Sequence, residues 1–172
     1  MTSKWIWAPV AGALGLGVYA GNVLATPQSD GVSPPAPKTT IFAQSVLGEL
    51  HLRAHTIPAH QWQLRLRTHG LSDGYVVDNT FAPGASTDWH SHPGPSLIFV
   101  VSGSVTNYSS DQPGCAGHTY NAGDSFVDEG GEHVHMLRNE SNATAETIAV
   151  QVLPHGAPRK TSADQPATCH IQ

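Results

Sequence analysis

A chain of 172 residues, 39% of them hydrophobic, has room for one domain with an adequate core and short appendages, and is cramped for two. Only 12% of its residues are charged while Gly (17) and Pro (13) abound, a balance that favours short strands and tight turns over long solvated helices. A formal charge of −5 without any basic run excludes the electrostatic footprint of a nucleic-acid-binding protein.

Residues 1–25 read as an export signal. Lys4 is the only charge before a long uncharged run from Trp5 to Ala25, and the small residue Ala25 ends it after Val23 and Leu24. The run is also close to the length of a bilayer span, which leaves an uncleaved anchor open as the one route to a membrane association. Gly12, Gly15, Gly17 and Gly21 make it a poor permanent helix, so cleavage after Ala25 is the expectation. Either way the domain is expected outside the cytoplasm. Residues 26–38 are rich in Pro and Ser, too poor in large apolar side chains to pack, and read as a flexible linker.

Beyond the linker, apolar and polar residues alternate over short stretches with the period of half-buried strands. The pattern predicts strands over 62–67, 74–81, 96–101, 105–108, 124–127, 134–138 and 147–152, whereas Phe42 to His55 is ambiguous. Turn signals fall between them at 82–84, 93–95, 102–103, 113–114, 123 and 130–131. The expected fold is therefore all-β, a sandwich or small barrel over residues 39–158, with a tail over 159–172. Trp89, Phe99, Phe126 and Met136 are expected to be packing residues rather than substrate contacts.

Eleven histidines are the compositional outlier. His51, His55, His60, His69, His118, His155 and His170 show no ligand spacing and read as surface residues. His90 and His92 differ: two apart in a strand, they project from one face, where a single ion can reach both imidazoles. Asp88 shares their parity and is either a supporting partner or a solvated turn residue. Export permits a disulfide between Cys115 and Cys169, the alternative being two unrelated thiols.

The segment holding His90 and His92 resembles the first motif of the cupin superfamily, with Gly84, His90, His92 and Gly103 at the matching positions. A second segment is similar to the second motif through Gly123, His135 and Asn139. Two departures stand out. Ser96 occupies the place of the family's metal-binding Glu, and Glu129 the place of its Pro, with one extra residue between Gly131 and His135. The resemblance covers residues 75–153 and is strongest to small secreted bacterial cupins. It implies a jelly-roll β-barrel of six to eight strands holding a divalent metal (Fe, Mn, Zn, Ni or Cu) inside one mouth through His90, His92 and His135. It also implies that exposed barrel faces can form a homodimer.

His133 is a further candidate, because it shares a face with His135 in a regular strand and would there be a fourth ligand or an acid/base group. Ser96 is too weak a ligand to replace Glu, though its hydroxyl can orient a bound water. Gln151, the polar exception in an apolar strand, lines the pocket if it points inward. Three neutral imidazoles leave an ion its full charge and favour anionic small molecules. Three function classes remain open: an oxygenase-type Fe(II) enzyme acting on a small molecule, a non-catalytic binding module for a small molecule or metal, and a metal-free isomerase using His90 or His135 as base.

Overall fold

Residues 33–55 and 62–171 are described by the computed structural model. The expected export segment, residues 26–32 of the linker, and His60 lie outside the described residues. Among the described residues twelve strands follow in chain order: β1 (Lys38–Gly48), β2 (His51–His55), β3 (Gln63–Arg67), β4 (Ser72–Phe81), β5 (His90–Ser91), β6 (Ser96–Ser102), β7 (Ser104–Ser109), β8 (His118–Asn121), β9 (Ser125–Asp128), β10 (His135–Arg138), β11 (Ala145–Pro154) and β12 (Thr161–Ser162). Two five-stranded antiparallel sheets result, in the orders β1-β4-β11-β6-β9 and β12-β5-β10-β7-β8. Strands β2 and β3 pair as a separate hairpin.

Every strand expected from alternation is present, with ends shifted by at most two residues. The ambiguous stretch from Phe42 to His55 divides between β1 and β2, with Gly48 at positive φ marking the break. Alternation is weak there because β1 is an edge strand whose residues are exposed almost throughout, so neither face is committed to a core.

Strand β11 shows the opposite case. Ala145, Thr147, Ala149, Gln151 and Leu153 point inward and are buried, while Glu146, Ile148, Val150 and Val152 alternate outward. Small inward residues at mid-strand leave space between the sheets, and the space is sealed at one end by Phe81, Val100, Val105 and Leu137. Tyr75, Val77, Ile98 and Leu153 form a second cluster. The same parity corrects one sequence expectation. Ser96, Ile98 and Val100 take the inner face of β6, which turns Phe99 outward and leaves it 45% exposed. Trp89 and Met136 are buried, but against Cys115 and Cys169 rather than between the sheets, and Phe126 is partly buried.

Asn139 pins the corner after β10. Fully buried, its amide donates to the carbonyls of Phe81, Ala82 and Ala143, and its Oδ1 accepts from the backbone and hydroxyl of Ser141. An inward polar residue is tolerated there because all its hydrogen-bonding groups are used.

Candidate metal centre

Two sheet registers assemble the site. On one sheet, His135 of β10 pairs directly across from His90 of β5, and His92 follows two residues on, so all three imidazoles face the interior. On the facing sheet, Ser96 pairs with Asp128 of β9 on one side and with Gln151 of β11 on the other. A row of Asp128, Ser96 and Gln151 thus looks across at the three histidines, and all six residues are buried.

The Nε2 atoms of His92 and His135 each lie 3.2 Å from that of His90. The opposite edges of two rings are fixed by backbone: His90 Nδ1 donates to the carbonyl of Asp88 at 2.9 Å, and His92 Nδ1 to that of Arg159 at 2.6 Å. With each single proton committed to Nδ1, the neutral rings of His90 and His92 turn unprotonated Nε2 lone pairs toward each other. Two acceptors at 3.2 Å cannot hydrogen-bond, and a shared cation relieves their repulsion. The donor set of a divalent metal therefore fits the three histidines, whose ligating atoms all lie within 4.8 Å of one another.

Burial and the neighbouring His135 push the pKa of His90 down to about 3, and burial and the neighbouring His92 push that of His135 down to about 3. That of His92 is also lowered, chiefly by burial, against the raising influence of the Arg159 carbonyl and of Asp128. The metal-free protein should therefore lose stability in acid. In the unfolded chain an imidazole protonates near 6.5, so as pH falls below that value the unfolded state takes up protons that the folded state refuses. Stability is full above about 6.5, declines toward pH about 3 and levels off below it. Thermal unfolding of chelator-treated protein from about pH 8 to about pH 4 measures this, and a flat midpoint would refute it.

The structure sorts the other sequence candidates. Ser96 accepts a hydrogen bond from Gln151 Nε2 at 2.9 Å, and Arg159 donates to Gln151 Oε1 at 3.2 Å. Gln151 thus lines the pocket as its inward parity required. His133 does not join the cluster: β10 begins only at His135, and the imidazole of His133 turns outward to pair with Asp111. Its side chain is 44% exposed, because the turn through Gly130 and Gly131 breaks the regular alternation that would have aligned it. The Asp88 carboxylate is exposed, and only its backbone carbonyl serves His90. His51 pairs with Glu49 on the surface and His155 with buried Asp73.

Three neighbours of the site escaped the sequence reading. Arg159 and Lys160 come from the segment assigned to the tail, which instead adds β12 beside β5 and lines the same cavity of about 130 Å³ as the histidines. Asp128 lies one residue beyond the strand predicted over 124–127, although its parity with Phe126 was legible. Its carboxylate is 5% exposed and places Oδ2 3.6 Å from His92 Nε2 and 3.5 Å from His135 Nε2.

The cysteines meet behind the histidines. Cys115 and Cys169 lie at disulfide distance, their Cα atoms 5.1 Å apart, and pack with Trp89 and Met136 on the far side of the sheet.

Residues 78–151 match a family model described as a cupin domain. The fold is similar to a conserved protein with a double-stranded β-helix domain from Klebsiella pneumoniae, at 17% identity over 78% of this chain and 90% of that one, with a TM-score of 0.51. A cupin domain from Bordetella pertussis is 15% identical over 72% of this chain and 100% of its own, TM-score 0.47. A cupin superfamily protein from Desulfitobacterium hafniense is 10% identical over 66% and 80%, TM-score 0.42. No curated protein matches the chain.

Proposed function

Since the chain belongs to the cupin superfamily, we propose that it is an exported protein that holds a divalent metal through His90, His92 and His135 and binds a small anionic molecule beside it. The carrying observation is the convergence of Nε2 atoms at 3.2 Å, with the rings of His90 and His92 oriented by backbone carbonyls. Such outer hydrogen bonds fix the tautomer and raise ligand basicity. Export is supported by the cysteine pair, which suits an oxidising compartment, and by the apolar first 25 residues.

Ligand class follows from the cavity. A cavity of about 130 Å³ leaves room only for a small molecule beside the ion. Arg159 and Lys160 contribute positive charge at its wall, which favours a small carboxylate or similar anion. The reaction we propose is an oxygenation, for which bound Fe(II) would supply the redox chemistry with dioxygen. The chain's own groups hold the ion, orient the anion through Arg159 and limit water to a narrow pocket. Metal-free base catalysis is the weaker reading, because a histidine whose pKa is about 3 is a poor proton acceptor near neutrality.

Metal analysis of the protein recovered from the exported fraction of a native-like host tests the proposal. About one iron per chain is expected, with small carboxylates binding the loaded protein and binding it at least ~10-fold more weakly after Arg159→Gln. Stoichiometric metal without oxygen consumption would turn the assignment toward a binding module, and protein free of metal would refute it.

A further inference from the structure

The family's metal-binding Glu is replaced here by Ser96, yet the site has not lost its carboxylate. We propose that Asp128 supplies it, as a fourth, anionic ligand reaching the metal from the strand next to Ser96. The inference rests on the three-histidine metal reading and adds to it a ligand from the opposite sheet.

The first observation is register. Ser96 and Asp128 are directly paired across β6 and β9, so their side chains leave the sheet side by side and on the same face. A carboxylate lost from one strand is regained from its neighbour without moving either backbone.

The second observation is distance. Donors about 2.1 Å from a common ion stand about 3.0 Å apart at right angles and about 3.4 Å apart at tetrahedral angles. His90 is separated from His92 and from His135 by 3.2 Å, and Asp128 Oδ2 from His92 and His135 by 3.6 and 3.5 Å. All four separations fall near that range.

The third observation is an unsatisfied atom. Asp128 Oδ1 accepts the backbone N–H of Gly130 at 3.0 Å, whereas Oδ2 is buried with no hydrogen-bond partner. A buried carboxylate oxygen without a donor is costly, and aimed at two histidine Nε2 atoms it is compensated by a cation. The turn that aims it is tightly constrained. Gly130 adopts positive φ, and a Cβ there would strike the carbonyl of Gly94, while Gly131 N–H donates to the carbonyl of His92. That turn holds the Asp128 strand end against the His92 loop.

A carboxylate ligand also revises the charge expected from histidines alone. The ion keeps about one unit of positive charge instead of two, and attraction for an anion then depends more heavily on Arg159 and Lys160.

Co²⁺ titration of the full chain, followed by calorimetry and by visible absorption, tests the assignment in the parent, Asp128→Asn and the pair Asp128→Ser with Ser96→Glu. Asn keeps the Oδ1 acceptor for Gly130, so the metal-free thermal midpoint should stay within a few degrees of the parent's. We expect Asp128→Asn to bind Co²⁺ more than ~10-fold more weakly with an altered absorption spectrum, and the paired exchange to recover most of the loss. Parent-like affinity in Asp128→Asn, or weaker binding with an unchanged spectrum, would overturn Asp128 as a ligand while the histidine site stands. No Co²⁺ binding by the parent would overturn both.

Discussion

His90→Ala and His135→Ala should each abolish stoichiometric metal binding, with affinity falling by more than the ~100-fold that loss of a merely supporting partner can cost. The effect is large because each ring is a neutral donor already aimed before the metal arrives. His90 is held by the Asp88 carbonyl and His135 by register with His90. His51→Ala is the control: that ring pairs with Glu49 on the exposed β2 hairpin. Stability provides a second readout. A ligand present at about 1,000 times its Kd adds about 4 kcal/mol to the folded state, and both variants should lose that increment entirely. Calorimetric titration and thermal unfolding with and without metal measure both. Undiminished binding in either variant would dismiss the three-histidine centre.

Cleaving the link between Cys115 and Cys169 should destabilise the protein by about 4 kcal/mol, the chain-entropy value for a closed loop of this length. The sequence separation is 54 residues, so the released unfolded chain gains much freedom. Packing adds to the loss, because both cysteines are buried against Trp89 and Met136, the immediate neighbours of His90 and His135. The consequence reaches the site. Cys169 anchors the segment that carries β12 and the Arg159 carbonyl, and that carbonyl orients His92. Cys115→Ser/Cys169→Ser should therefore also weaken metal binding by roughly 10-fold, the scale of a lost outer hydrogen bond. Urea unfolding and metal titration of the double variant check the two parts. A variant as stable as the parent would show that the segment is held without its bridge.

Local periodicity carries as far as single strands reach. Alternation placed seven strands, set His90 and His92 on one face and marked Gln151 as an inward polar residue, because a pleated strand sends every second side chain the same way. Where alternation had no core to report, as along exposed β1, or was broken, as at the turn before His135, the sequence was mute or misleading about side-chain direction. That is why His133 faces away from the interior, whereas Phe99 does so because Ser96, Ile98 and Val100 take the inner face of β6. Resemblance named His135 and marked Ser96 as a departure, but gave no view of what stands opposite that serine. Only the pairing of β6 with β9 brings Asp128, 32 residues later, beside the histidines, and only the return of β12 alongside β5 turns a nominal tail into the wall that supplies Arg159 and Lys160. Contacts of this kind depend on which strands share a ladder and in what register. Chain entropy and core packing decide that globally, and no local spacing encodes it.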